Sequence, residues 1–231
     1  MRVAIIENTE ITHQGAVGVA LHEAGALVTQ FRPWLDAALP DPARFDAVVA
    51  FGGEQSALSD ATHPYLPGLA RTLRAFSDGD KPVLAICLGA QVLARAYGAA
   101  NHIGTAPEFG WCQIELSAQG RADPVFAALP PVFPIFEWHS DTFTLPANAR
   151  LLAQSGVARN QAFRIGRATY GTQFHFEASR AVVADWTRRF PQALEAMSPG
   201  WARAFPEQAE THGRVADLHG LTLARAWVGL I

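Results

Sequence analysis

The chain has 231 residues, which is enough for one globular domain with a sizeable core that needs no disulfides or metals. Its 18 Lys and Arg residues against 21 Asp and Glu residues give a formal net charge of −3, with no basic cluster, which argues against a nucleic-acid-binding surface. Two cysteines are too few for a disulfide framework, no run approaches the roughly 18 apolar residues of a membrane span, and no leader pattern opens the chain, so a cytoplasmic setting is expected.

The first half of the chain alternates strand and helix patterns, as α/β proteins do. Strands are predicted at 3–6, 26–31, 46–51 and 82–86, and helices at 15–24, 63–76 and 90–97. The glycines Gly52 and Gly53 follow the third of these strands, where open α/β sheets bind ligands. Gly53 could offer its N–H to a substrate oxygen, although a glycine pair that merely turns the chain is an equally open interpretation.

Cys87 lies between a buried strand and the first turn of a helix. The positive end of the helix favours the thiolate there, and the tight turn exposes the side chain, with Gly89 giving the backbone room to approach. The N–H of Leu88 would then face a developing oxyanion. A buried, inert cysteine is the alternative.

The second half of the chain predicts short antiparallel strands. They are expected at 111–116, 151–154, 161–164 and 168–176. Gln173, His175 and Glu177 would share one face of the last strand, so the carboxylate could orient the imidazole. The polar segments 137–143 and 160–161 could line a pocket, or be ordinary polar loops. Helices are predicted at 181–189 and 207–228.

Three motifs, taken together, resemble the class I (triad) glutamine amidotransferases. They are Gly52-Gly53, Cys87-Leu-Gly-Ala-Gln91 and Gln173-Phe-His175-Phe-Glu177, and the segment 138–141 is similar to proteins related to the amidotransferase domain of GMP synthase. The resemblance covers residues 1–180 and implies an α/β fold with a flavodoxin-like open, mainly parallel sheet and a small antiparallel addition. Residues 181–231 are expected to form a helical segment packed on the same domain.

The resemblance also implies roles for individual residues. Cys87 would be the nucleophile, His175 the general base and Glu177 its orienting acid, with Gly53 and Leu88 as oxyanion donors. The substrate would be bound by Gly52, Gln91, His139, Ser140 and Asp141. No cofactor is implied. The partner would be glutamine or another γ-glutamyl compound, while a synthetase that accepts the ammonia and a homo-oligomer are left open.

Two departures from the family pattern bear on these expectations. Phe176 stands where the family has proline between the histidine and the glutamate, and its side chain is expected to point away from the catalytic face. Glu54 replaces the proline after the glycine pair and puts the identity of the substrate in doubt. The sequence therefore predicts hydrolysis of the glutamine γ-amide. The alternatives are a γ-glutamyl conjugate hydrolase, a metal site of His139, His175 and Glu177, and a non-catalytic regulatory or binding protein.

Overall fold

The structure is a computed structural model that describes residues 1–231, and its centre is a nine-stranded sheet with strand order β2-β1-β3-β4-β11-β10-β9-β6-β7. A two-stranded antiparallel sheet, β5-β8, lies beside it. The strands are β1 (Arg2–Ile6), β2 (Leu27–Phe31), β3 (Ala47–Ala50), β4 (Val83–Ile86), β5 (Asn101–His102), β6 (Glu108–Leu116), β7 (Val132–His139), β8 (Thr142–Phe143), β9 (Arg150–Gln154), β10 (Ala162–Ile165) and β11 (Thr169–Thr172).

Helices cover both faces of the sheet. They are α1 (Gly15–Glu23), α2 (Pro33–Asp36), α3 (Leu66–Asp78), α4 (Leu88–Ala96), α5 (Ala118–Arg121), α6 (Arg180–Arg189), α7 (Pro191–Met197), α8 (Trp201–Gln208) and α9 (Arg214–Val228), with a 3₁₀ turn at Pro42–Arg44 and a π-helical turn at Ala209–Gly213. No helix is both long enough and apolar enough to cross a membrane.

The parallel part of the sheet consists of β2, β1, β3, β4 and β11, and the remaining four strands pair antiparallel. This confirms the expected open, mainly parallel flavodoxin-like sheet with an antiparallel addition. Because the parallel strands share one direction, their carboxyl ends meet at one edge, where α/β proteins place ligands. Cys87, Gly52 and Gln173 all follow such strand ends.

Two apolar clusters fill the space between the sheet and the helices on its two faces. Alternate residues of β1 enter different clusters, Val3 and Ile5 on one face and Ala4 and Ile6 on the other. The first cluster also contains apolar residues of α9, among them Trp227, so the C-terminal helices cover the same face of the sheet as α1. Burial of that face provides the main stabilisation of α9.

The structure differs from the sequence predictions at three elements. The strand predicted for 168–176 ends at Thr172, and His175 makes only an isolated bridge to Phe136. The polar segment 137–143 is not a loop throughout, because its first three residues are the end of β7. This strand lies at the edge of the sheet, where the missing N–H of Pro134 removes no hydrogen bond to a neighbouring strand. The helical region predicted for 207–228 begins earlier, at Trp201, and contains the π-helical turn.

Candidate active site

Cys87 occupies the turn between β4 and α4 in a backbone conformation rare for residues with side chains. Its φ is +52° and its ψ is −111°, and such conformations cost about 1–3 kcal/mol unless the surrounding structure imposes them. The conformation accompanies a close approach of α4 to the end of β3, where a Cβ at Gly89 would lie 2.3 Å from the carbonyl oxygen of Ala50. The predicted elbow is therefore present, with the thiol at the start of α4.

His175 and Glu177 lie in the turn after β11. The Nδ1 atom of His175 is 2.7 Å from Oε1 of Glu177, although the two residues are not in a regular strand. The backbone N–H of His175 donates to the carbonyl oxygen of Phe136 at 2.8 Å, which ties the turn to β7. The predicted pairing of imidazole and carboxylate thus forms in a turn instead of on a strand face.

Two glycines from distant helices hold this turn between them. A Cβ at Gly15, at the start of α1, would lie 1.8 Å from the carbonyl oxygen of Glu177, and a Cβ at Gly220, in α9, would lie 2.1 Å from that of Phe176. The N–H of Ala16 donates to the Glu177 carbonyl at 3.1 Å. Phe176 is buried in the core, away from the cavity described below, as expected for its side chain.

Cys87 and His175 meet in front of Gly52. A Cβ on Gly52 would lie 3.1 Å from Cε1 of His175 and 3.9 Å from Sγ of Cys87, so a side chain here would crowd the imidazole. Burial disfavours a charged imidazole, but Glu177 and Cys87 outweigh that effect and hold the pKa of His175 well above its ordinary value. The arrangement places a protonated imidazole beside the sulfur of Cys87, which suits acyl transfer to sulfur.

The two residues predicted as oxyanion donors pack against each other near the start of α4. Leu88 is the first residue of α4, where backbone N–H groups have no partner within the helix. A Cβ at Gly53 would lie 2.8 Å from Cδ2 of Leu88 and 3.0 Å from Cβ of Asn8, so Gly53 fits closely against the residue that carries the other donor.

The side chain of Gln91 faces another glutamine rather than standing free in the cavity. Its Nε2 donates to Oε1 of Gln173 at 3.1 Å, and Nε2 of Gln173 lies 3.6 Å from Sγ of Cys87 as a donor. Gln173 is fully buried. Its place on the predicted face with His175 was recognisable from the sequence, but its contact with the thiol was not.

His139 lines the cavity, with a carbonyl oxygen at one ring nitrogen and two carboxylates near the other. Nδ1 is 2.9 Å from the carbonyl oxygen of Asp141, while Nε2 is 3.2 Å from Oε2 of Glu137 and 3.3 Å from Oε2 of Glu108. Burial opposes a charged ring, but the two carboxylates outweigh it and raise the pKa of His139 to about 10. Burial raises the pKa of Glu137 to about 7.

These three side chains form the group in the structure that could hold a metal ion. One donor atom from each of Glu108, Glu137 and His139 lies within 4.8 Å of the others. The metal site considered from the sequence, which consisted of His139, His175 and Glu177, shares only His139 with this group. A charged His139 already supplies a counter-charge for the carboxylates, and Gln161 donates a further hydrogen bond to Glu108 at 2.6 Å.

Ser140 and Asp141 line the cavity wall but also bond within the protein. The hydroxyl of Ser140 donates to Sδ of Met197 at 3.7 Å, and Oδ1 of Asp141 accepts a hydrogen bond from the N–H of Gly104 at 2.8 Å. The second bond fixes the Asp141 carboxylate at the edge of the cavity.

The cavity has a volume of about 390 Å³ and holds all the predicted site residues except Leu88 in its lining. Glu54 lies at its exposed rim. The sequence-based prediction missed the wall contributed by the C-terminal helices: Trp186 of α6, Phe190 between α6 and α7, and Ala193 and Met197 of α7. Their helical periodicity gave no sign of which face would meet a cavity.

Comparison with known proteins agrees with this geometry. A family model described as glutamine amidotransferase class-I matches residues 21–184. The glutamine amidotransferase-like protein YfeJ of Salmonella typhimurium is 30% identical over 198 residues, which span 84% of this chain and 83% of that protein. One of the subunits of the glutamine-hydrolyzing GMP synthase of Ignicoccus hospitalis is 33% identical over 140 residues, 60% of this chain and 70% of that one.

Solved structures extend the similarity to nearly the whole chain. The crystal structure of a glutamine amidotransferase from Thermotoga maritima superposes with a TM-score of 0.88 at 28% identity and covers 98% of this chain and 97% of that one. The matched length includes the C-terminal helices, which lie beyond the residues that the family model matches.

Proposed function

This chain belongs to the class I glutamine amidotransferase family, and we propose that it hydrolyses the γ-amide of glutamine through a thioester on Cys87, releasing glutamate and ammonia. The observation that supports this most directly is the meeting of three groups at one cavity. They are a thiol at a helix start, an imidazole beside it and a carboxylate 2.7 Å from the far ring nitrogen.

In the proposed reaction the Cys87 thiolate attacks the γ-carbonyl carbon of glutamine. The N–H groups of Leu88 and Gly53 stabilise the oxyanion, and a donor of this kind is typically worth about 10²–10³ in rate. His175 gives its proton to the departing ammonia as the C–N bond breaks. A water molecule then attacks the thioester and passes a proton to His175. This step releases glutamate and restores the Cys87 thiolate beside a protonated His175. Glu177 holds the imidazole orientation throughout.

The test is covalent labelling by a glutamine-mimicking chloroketone, read by intact mass, with ammonia release from glutamine measured in parallel. The chain has two cysteines, so the half-buried Cys112 supplies a matched control. The Cys87→Ser variant should lose both labelling and turnover, whereas Cys112→Ser should keep them. Labelling that survives in Cys87→Ser would contradict the assignment and favour the non-catalytic interpretation.

Two further outcomes of the same experiment concern the acceptor of the ammonia. Several relatives are named as subunits of a glutamine-hydrolyzing GMP synthase, and this supports a separate synthetase chain as the receiver. Labelling of Cys87 without glutamine turnover by the isolated chain would indicate that such a partner, or a different γ-glutamyl substrate, is required. Turnover by the chain alone would show that ammonia can be released to solvent without a synthetase partner.

A further inference from the structure

One wall of the cavity is apolar and aromatic. It consists of Trp138 from β7 and of Trp186, Phe190, Ala193 and Met197 from the segment that carries α6 and α7. A cavity of about 390 Å³ falls within the range of roughly 300–1,000 Å³ found for pockets that enclose small organic ligands. The departing group of glutamine is a single ammonia molecule, which needs no such wall.

The wall begins at His175. The Trp186 ring meets the imidazole edge to face, with the ring centres 5.4 Å apart. The ring centres of Trp138 and Trp186 are 5.3 Å apart, and those of Phe190 and Trp138 are 5.6 Å apart. The aromatic surface therefore continues from the imidazole through three further rings. In the proposed reaction His175 protonates the departing amine, and this surface therefore adjoins the place where the amine leaves.

The charges around the cavity restrict what could occupy this space. No lysine or arginine lines it, and its carboxylates are those of Glu54, Asp141 and Glu177. His13 lies near Trp186, with the ring centres 6.4 Å apart, and its Nε2 is paired with Oδ2 of Asp185 at 2.9 Å. The other two histidines of the lining are also paired with carboxylates, His139 with Glu108 and Glu137 and His175 with Glu177. A departing group that carries a carboxylate, such as an amino acid, would therefore find no unpaired cation, whereas an uncharged apolar amine would bury its surface favourably.

We propose that the aromatic wall is a leaving-group subsite, and that the preferred substrates are γ-glutamyl amides of uncharged alkyl or arylalkyl amines. This inference rests on the proposed function. The chemistry balances as for glutamine: sulfur bonds to the γ-carbonyl carbon, the C–N bond breaks, and the amine leaves with the proton of His175. Water then cleaves the thioester to give glutamate.

The experiment compares a series of γ-glutamyl amides in which the amine is methylamine, butylamine or phenethylamine, together with glutamine and γ-glutamylphenylalanine. The alkylamine leaving groups have similar basicity, so differences in kcat/KM report binding in the subsite. We expect kcat/KM to rise along the amine series by up to about fourfold for each added methylene group. γ-Glutamylphenylalanine should be the poorer substrate relative to the phenethylamide, from which it differs by one carboxylate.

Variants of Phe190 locate the effect. Phe190→Ala should lower the ratio of phenethylamide to methylamide kcat/KM about tenfold, and Phe190→Leu should restore most of it. Met197→Ala offers a second probe should Phe190→Ala fail to fold. Trp34→Ala is the matched control, because Trp34 is an exposed aromatic on α2 outside the cavity lining and its removal should leave the ratio unchanged.

The outcomes separate the two proposals. A flat or falling series, in a protein that is labelled at Cys87 and hydrolyses glutamine, would overturn the subsite and leave the proposed function standing. A ratio unchanged in both Phe190→Ala and Met197→Ala would also overturn it. Absence of labelling and of turnover for every compound would overturn the proposed function and the subsite with it.

Discussion

Gln173 donates a hydrogen bond from its side-chain amide to Sγ of Cys87, at 3.6 Å, while Gln91 donates to the other end of the same amide at 3.1 Å. Because Gln91 occupies the oxygen of Gln173, the NH₂ group is the end that faces the sulfur. The pair therefore offers the thiolate a donor in addition to the start of α4 and the imidazole of His175.

Removing that donor should slow the reaction of Cys87. Hydrogen bonds to charged groups contribute about 1.5–3 kcal/mol, so Gln173→Met should lower the rate of alkylation by iodoacetamide at pH 7 about tenfold or more. Gln161→Met is the control, since Gln161 is also a buried glutamine but donates to Glu108. Equal alkylation rates in the Gln173 variant and the parent chain would refute the role of this contact.

Glu177→Gln should impair hydrolysis while leaving the thiol in place. The neutral amide no longer stabilises a charged imidazole, so kcat should fall at least about 10²-fold and the pKa of His175 should drop. Titration of isotope-labelled histidine by NMR measures that drop directly. An imidazole that titrates as in the parent chain would show that Glu177 does not govern its charge.

Gly53→Ala tests the crowded side of the oxyanion site. The added methyl would lie 2.8 Å from Cδ2 of Leu88 and 3.0 Å from Cβ of Asn8, so the Leu88 side chain or the loop must shift. We expect glutamine hydrolysis to fall by about 10²–10³, the range for a lost oxyanion donor. Gly156→Ala is the control, since open space surrounds a Cβ there. An active Gly53→Ala variant would show that hydrolysis does not depend on this close packing of Gly53 against Leu88.

The folded protein should become less stable as the pH rises and Glu137 and His139 lose their protons. Both groups keep a proton in the folded state that the unfolded chain releases earlier, because burial or a carboxylate partner raises the pKa of Glu137 from 4.5 to about 7 and that of His139 from 6.5 to about 10. Each lowers the free energy of unfolding by about 1.4 kcal/mol per pH unit across its own interval. Each group contributes its full stabilisation of the folded state when the pH is below its unfolded-state pKa, 4.5 for Glu137 and 6.5 for His139.

Glu137→Gln isolates the first of these intervals. Urea unfolding at pH 5, 6 and 7 should show a weaker pH dependence in this variant than in the parent chain. The exposed Glu207→Gln variant should reproduce the parent slope. An identical slope in Glu137→Gln would mean that Glu137 ionises alike in the folded and unfolded states.

Gly220→Ala tests the contact between α9 and the site. Its Cβ would lie 2.1 Å from the carbonyl oxygen of Phe176, and relief of such a clash typically costs about 1–3 kcal/mol. The displaced turn should also lose hydrolytic activity. Gly229→Ala, where the nearest atom to a Cβ is 3.4 Å away, should retain both properties. Full activity in Gly220→Ala would show that the turn does not depend on this contact.

Local pattern was sufficient for some parts of the structure and insufficient for others. The elbow at Cys87 could be predicted because a buried strand, a cysteine, a glycine and a helix follow one another within one short segment. The pairing of His175 with Glu177 was predicted for a strand that ends at Thr172, and the turn that actually holds it depends on Gly15 and Gly220. Such contacts between distant segments have no signature in a single sequence.

The missed elements have similar causes. The strand β7 contains Pro134 and ends in polar residues, a combination that resembles a loop unless its position at the sheet edge is known. The cavity wall from Trp186 and Phe190 was missed because helical spacing identifies an apolar face but not what that face meets. Gln91, predicted to meet substrate, lines the cavity, and its contact with Gln173 depends on a side-chain orientation that spacing does not encode.

The contact of Gly220 with the Phe176 carbonyl also bears on the order of events during synthesis. The helix α9 leaves the ribosome after every predicted triad residue, so a nascent chain that has not yet produced α9 lacks the support of the His175 turn. The candidate site would then take its final geometry only after α9 emerges.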